Sequence, residues 1–232
     1  MIEFNHISKK FGHLHVLNDI NLKIDEGSCV IFIGPNGCGK TTLIKCMLNM
    51  VIPDAGSVSI EGKVVNRHPR ERNMVGFMPQ IGHFPEHMTV NEVIRAVCSI
   101  RNYQGVTDKE LFEAYHIDQL GNKKMNTLSG GTVQKVSAAI VFMFNPSIIV
   151  MDEPFAGLDM LAADILKRKI FSERQKKKTI FITSHILGDI DNIISHVVFM
   201  NDGNVKFYQS LPQLFKQTGK DNVNDAVMKI IS

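Results

Sequence analysis

The chain has 232 residues, of which 44% are hydrophobic and 21% charged, with a formal net charge of +3. That length accommodates one well-buried core with at most a small subdomain, and the balance is that of a globular protein rather than a disordered or fibrous one. No apolar run reaches the ~20 residues that span a bilayer, and so mild a charge does not imply nucleic acid as a partner.

In chain order, Ile2 to Ser8, Leu17 to Ile24 and Ser57 to Val65 read as antiparallel strands joined by turns at Gly12, Asp25-Glu26-Gly27 and Glu61-Gly62, a β layer at one edge. Between them Cys29 to Ile33 reads as a short buried strand and Thr42 to Leu48 as a helix; Met74 to Met78 is a further strand. From Thr89 to about Phe144 the chain turns helix-rich, with loops near Gly105 and Gly121-Asn122, and reads as an inserted helical subdomain. Strands then return at Ile148 to Met151, Thr179 to Thr183, His196 to Asn201 and Val205 to Tyr208. A helix lies near Leu161 to Arg174, and Leu211 to Ile231 reads as short helices. Alternating strands and helices predict an α/β fold with a mainly parallel sheet. The expected organisation is one unit: a core with its β layer over 1–88 and 145–210, the helical subdomain over 89–144 and a tail over 211–232.

The four cysteines, Cys29, Cys38, Cys46 and Cys98, form no C-x-x-C pair and lie mostly in apolar segments, which predicts reduced thiols. Met1 to His6 has neither the basic start nor the long apolar stretch of a secretory signal, so a cytoplasmic protein is expected. The basic stretch from Lys167 to Lys178 reads as a solvated helix face.

Chemistry begins at Gly34-Pro35-Asn36-Gly37-Cys38-Gly39-Lys40-Thr41, which fits the phosphate-loop pattern G-x-x-x-x-G-K-S/T between a strand and a helix. Glycines let successive N–H groups turn inward toward phosphate oxygens, and the helix start that includes Thr42 adds partial positive charge. Lys40 would neutralise the β and γ phosphates and Thr41 would ligate Mg²⁺. Downstream, the apolar strand ending at Met151 runs into Asp152-Glu153, one acid placed to support Mg²⁺ and the other to polarise water, which together imply hydrolysis. A thiol at Cys38, if solvent reaches it, is expected to be alkylated with loss of activity and protected by MgATP.

With Leu128-Ser129-Gly130-Gly131 upstream of the acidic strand, the chain resembles the ATP-binding cassette (ABC) ATPases. The resemblance covers essentially the whole chain and implies a P-loop NTPase, RecA-like core. In that family Ser129, Gly130 and Gly131 would receive the γ-phosphate of ATP bound to another subunit, so a homodimer or a pairing with a second cassette is implied. Gln80, after Met78-Pro79, resembles the loop glutamine that reaches Mg²⁺ or the attacking water, and His185, after Thr183-Ser184, resembles the switch histidine on the γ-phosphate. Asp159, in Phe155-Ala156-Gly157-Leu158-Asp159, resembles the acid through which subunits sense each other. Phe11 resembles the aromatic that stacks on adenine. Two positions depart from the pattern: Thr132 stands where the family usually has Gln, and Cys38 where it usually has Ala or Ser.

The resemblance implies an ATP-hydrolysing subunit that energises a separate transmembrane permease and sits on the cytoplasmic face of the membrane through it. The permease would dock near Gln80, over roughly Pro79 to Val97. The text from Ser129 to Ala139 is most similar to cassette ATPases of copper-site assembly in nitrous oxide reductase, although the chain shows no copper-ligand cluster. The alternative is a non-transport cassette ATPase acting as a soluble mechanical module. A switch GTPase would need Asn-Lys-x-Asp, and Asn122-Lys123-Lys124-Met125 lacks the acid.

Overall fold

The computed structural model describes residues 1–65, 74–103, 107–184 and 190–231. The elements begin with β1 (Ile2–Phe11), β2 (Leu14–Ile24), β3 (Cys29–Ile33), α1 (Lys40–Met47), β4 (Ala55–Ile60), β5 (Lys63–Val64) and β6 (Val75–Met78). Helices α2 (Val90–Arg101), α3 (Glu110–Ala114) and α4 (Gly130–Met143) follow, with short 3₁₀ turns at Ile117–Leu120 and Met125–Thr127. The chain continues through β7 (Ile148–Asp152), α5 (Met160–Gln175), β8 (Thr179–Thr183), β9 (His196–Asn201), β10 (Asn204–Ser210), α6 (Leu211–Thr218) and α7 (Val223–Ile231).

Two sheets result among the described residues. One has the order β10-β9-β3-β8-β7-β6, with parallel neighbours throughout except the β9–β10 hairpin. The other, β2-β1-β4-β5, is antiparallel. The fold is α/β, as the alternation predicts. Strands β3, β7 and β8 are buried along their whole length, which is why they read as unbroken apolar runs. Their side chains alternate between two cores. Ile31, Ile33, Ile149, Met151 and Ile182 pack with residues of α4 and α5, whereas Val30, Phe32, Val150 and Phe181 pack with α1 and the antiparallel layer.

Strands β1 and β2 run further than their apolar text, to a turn at Gly12-His13. Backbone pairing carries them past the point where hydrophobic alternation stops, with register shifts between Ile7 and Lys10, and Asp54 bonds the Lys9 ammonium (2.8 Å) and the Lys10 amide (2.7 Å). Phe11 and Leu14 are thereby set at the hairpin tip, paired with each other. Helix α2 starts where it does because Thr89 and Glu92 form a capping box: Thr89 Oγ1 accepts from the Glu92 amide, and Glu92 Oε2 accepts from the Thr89 amide at 2.8 Å.

A buried charge cluster fastens the helical stretch to the core. Lys169 of α5, 1% exposed, donates to Asp108 (2.5 Å) and Glu110 (2.6 Å) at the start of α3, and pairs with the fully buried Glu173 (3.1 Å). Glu173 also meets Lys176 (2.7 Å) and Lys178. Burial would raise the Glu173 carboxyl, but hydrogen bonds from Lys176, Lys178 and Lys169 outweigh it and hold the group down at about 2.

Removing the cation takes from Asp108 and Glu110 the partner that ties them to α5 and leaves the buried Glu173 with Lys176 and Lys178 alone, so Lys169→Met should destabilise the fold by about 3 kcal/mol, read as a lowered urea midpoint. Because Glu173 has a depressed folded pKa, its contribution is full above its unfolded value of about 4.5 and is lost as pH falls toward about 2. Unfolding free energies of Glu173→Gln should therefore depend less on pH than those of the parent across that window.

Candidate nucleotide site

The turn from β3 into α1 is pressed between two neighbours. A Cβ at Gly34 (φ +148°) would stand 2.0 Å from the Met200 carbonyl oxygen, and one at Gly39 (φ +106°) would stand 2.7 Å from that of Val16. Only glycine fits these two places, so the end of β9 and the β2 strand fix the loop's path. Lys40 is buried, and its ammonium folds over the loop to donate to the carbonyls of Gly34 (2.7 Å) and Pro35 (3.1 Å). No acid lies in the first turn of α1, so the positive end of that helix is unopposed from within it.

Three elements converge on Asp152 at the end of β7. The Thr41 hydroxyl donates to Asp152 Oδ2 at 3.0 Å, and the Thr183 hydroxyl, from the end of β8, donates to Oδ1. Thr183 Oγ1 also accepts from the Glu153 amide at 3.0 Å, and the Thr183 carbonyl accepts from the same amide at 3.2 Å. Glu153 itself sits in the left-handed region (φ +50°), a costly backbone for a residue with a side chain, held there by those bonds.

Phe11, Asn36, Gly37, Gly39, Lys40, Thr41, Thr42, Gln80, Asp152 and Glu153 line one cleft of about 470 Å³, together with Leu14 and Val16. Phe11 is 51% exposed at its mouth, with the Lys9 ammonium 5.4 Å from its ring centroid. Gly34 and Pro35 border a neighbouring cavity of about 930 Å³ between the loop, β10 and α7, which Asn36 also reaches. The Thr41 hydroxyl, Asp152 carboxylate and Gln80 amide carbonyl are hard oxygen donors, a set that suits Mg²⁺ and not a soft metal.

The other expected residues do not line this cleft. Ser129 is the N-cap of α4, its Oγ accepting from the Thr132 amide at 3.3 Å. A Cβ at Gly131 would meet the Gly157 carbonyl oxygen at 2.6 Å, so the start of α4 lies directly against the loop that precedes α5. Asp159 caps α5, accepting from the Ala162 amide (2.8 Å), and pairs with Lys135 of α4 (2.7 Å). These bonds, that of Lys135 foremost, hold its carboxyl below the usual range. Ser129, Gly130, Gly131 and Asp159 thus form one edge, exposed at Ser129 and Asp159, apart from the phosphate loop of their own chain. His185 lies outside the described residues.

Cys38 departs from expectation. Its side chain is 4% exposed, in the buried cluster that holds Val30 and Phe32, and its sulfur lies 3.7 Å from the Lys40 ammonium, so the thiol touches the loop lysine while solvent does not reach it. Thr183 and Lys135 had no sequence signal: the first reads as the last residue of a buried strand, the second as one more charge on a helix. In the native protein a maleimide should label Cys98 first, the half-exposed thiol, and reach Cys38, Cys29 and Cys46 only on unfolding, as followed by mass spectrometry.

A family model described as ABC transporter matches residues 17–156, more than half of the chain. A sulfate/thiosulfate import ATP-binding protein of Pectobacterium atrosepticum is 34% identical over 212 residues, covering 87% of this chain and 64% of that protein. A Nod factor export ATP-binding protein of Burkholderia lata is 31% identical over 212 residues, 87% of this chain and 68% of that one. The chain thus spans about two thirds of the length of these relatives. An ATP-binding subunit of an ABC transporter has the same fold with a TM-score of 0.89 and 25% identity over all of both chains. A dimeric ATP-binding cassette in a post-hydrolysis state with ADP and phosphate matches at 0.79 and 25% identity, over 91% of this chain and 99% of that one. A loop of the phosphate-binding pattern beside two acids, in a fold shared with these proteins, places the chain in the ABC transporter family as an ATP-binding, ATP-hydrolysing subunit.

Proposed function

We propose that the chain binds MgATP between its own phosphate loop and the Ser129 edge of a second copy or a second cassette, and that hydrolysis there drives a separate transmembrane permease. The observation that carries this reading is the placement of Lys40, Thr41, Asp152 and Glu153 in one cleft while Ser129 stands outside it. A site needing both must be completed by another chain. Head-to-tail pairing forms two such sites. Among the solved relatives, the cassette holding ADP and phosphate is dimeric.

Within the cleft each residue has a separate task. Phe11 offers its exposed face to the adenine ring. Gly34, Pro35, Asn36, Gly37, Cys38 and Gly39 supply the loop backbone, and Thr42 lies in the first turn of α1 beyond it. Lys40 leaves its loop carbonyls to neutralise the terminal phosphates, an exchange that costs two hydrogen bonds and gains a stronger charge-assisted set. Thr41, Asp152 and Gln80 would hold Mg²⁺, which when bound would supply charge neutralisation at the phosphate oxygens. Glu153 takes the proton of the attacking water while its amide stays tied to Thr183, and His185 completes the shell around the γ-phosphate. Asp159 reports the state of the partner's site.

No helix among the described residues is long and apolar enough to cross a membrane. We assign the permease contact to the surface from Pro79 to Val97, where Ile81, 64% exposed, stands beside Gln80. Residues 1–88 and 145–210 act as the ATP-binding core, 89–144 as the helical arm that meets the permease, and 211–232 as the tail. The protein then works on the cytoplasmic face of the membrane. Copper-site assembly rests only on the text following Ser129. The relatives named above are described by sulfate/thiosulfate import and Nod factor export, and among the described residues no group of three or more His, Cys, Asp and Glu forms a metal centre. Purification from native membranes identifies the permease; recovery of the ATPase without any integral membrane protein contradicts the transport role and favours a soluble mechanical module.

Glu153→Gln should bind ATP as the parent does and lose about 10²–10⁴ in turnover, measured as phosphate release. Unaltered turnover removes Glu153 from the role of base. Phe11→Ala should weaken ATP about tenfold, the stacking contribution of one base, with kcat within about twofold of the parent.

A further inference from the structure

Thr132 occupies the third position of α4, where the family usually has Gln. A Gln there would reach back to the backbone amide of Ser129, as in a capping box. Thr132 is too short for that, and its hydroxyl instead lies 2.8 Å from the hydroxyl of Ser129. The Ser129 oxygen has one proton and two lone pairs. One lone pair takes the Thr132 amide, 3.3 Å away. If the Thr132 hydroxyl donates into the other, the acceptor capacity of Ser129 is filled and its own proton must turn elsewhere. The reverse arrangement spends the Ser129 proton on Thr132 and presents lone pairs to any approaching anion, which repels it.

We propose that Thr132 is a positioning residue: by donating to Ser129 it turns the Ser129 proton outward, toward the terminal phosphate of ATP held by the second copy. The inference rests on the composite-site reading above. Space for that phosphate is present, since a Cβ built on the adjacent Gly130 meets nothing within 4 Å. The β-branched Thr132 side chain has few rotamers in a helix, so its oxygen is held against Ser129. Two hydroxyls in series also polarise one another, which strengthens the terminal donor.

The test uses the full chain carrying Glu153→Gln, so that MgATP is retained, and measures the MgATP-dependent dimer dissociation constant by sedimentation equilibrium. Thr132→Val should weaken the dimer about tenfold per site, hence about a hundredfold for two sites, the scale of a hydrogen bond to a charged group. Thr132→Ser, which keeps the hydroxyl, should stay within about threefold of the parent, and Thr132→Ala gives the same reading as valine should valine disturb the helix start. ATP affinity of the dilute single chain should not change, because it reports the chain's own phosphate loop. Ser129→Ala with Thr132→Val should be no weaker than Ser129→Ala alone, since the two act through one hydrogen bond. Parent-like dimerisation of Thr132→Val, or full additivity in the double variant, overturns the inference. If Ser129→Ala also dimerises like the parent, the composite-site reading falls with it; if Ser129→Ala alone weakens the dimer, only the role of Thr132 falls.

Discussion

The chemistry of this protein hangs on the Asp152 carboxylate, which bonds Thr41 with one oxygen and Thr183 with the other. Through those two bonds the start of α1 and the ends of two parallel strands are held in register, and the adjoining Glu153 is carried into a left-handed backbone that points it at the same cleft. A carboxylate buried at 4% exposure needs such partners, since an unpaired one would be strongly penalised. The bonds that satisfy Asp152 are also the bonds that assemble the site, and the oxygens they engage are the ones Mg²⁺ would take up.

A second constraint works around the first. Close approach of the Met200 and Val16 carbonyls leaves room only for glycine at 34 and 39, so the antiparallel layer and the β9 strand act as a mould for the phosphate loop. The layer's hairpin tip, carrying Phe11 and Leu14, is thereby brought to the cleft's mouth. Outside the cleft, the Lys135–Asp159 pair and the close approach of Gly131 to Gly157 bind the start of α4 to the loop before α5. The residues of that block do not line the nucleotide cleft of their own chain, and the Lys169–Glu173 cluster keeps the helical stretch fixed to the same α5 helix. In the composite site proposed above, one chain binds ATP and another completes the site.

Most of the architecture was legible because its determinants are local. Unbroken apolar runs mark the central strands, and the glycines with Lys40 and Thr41 mark the loop, whereas the capping box of Thr89 and Glu92 that starts α2 emerges only in the structure. The strands β1 and β2 extend beyond their apolar text because their outer halves are held by backbone pairing and by Asp54, neither of which leaves an apolar pattern. Thr183 escaped notice for a different reason: its two roles depend on β8 lying beside β7, a pairing between residues 31 apart in the chain. Cys38 belongs to the loop pattern, but the burial of its thiol, beside the Lys40 ammonium and in the cluster of Val30 and Phe32, is set by tertiary packing.

The central claim is that a complete ATP site needs two chains. It is tested most directly by determining the structure of the Glu153→Gln chain with MgATP. The account predicts two copies paired head to tail, each γ-phosphate within about 3 Å of Lys40 from one copy and of Ser129 from the other. A nucleotide enclosed by a single copy, with Ser129 of no second chain at its phosphate, would contradict it.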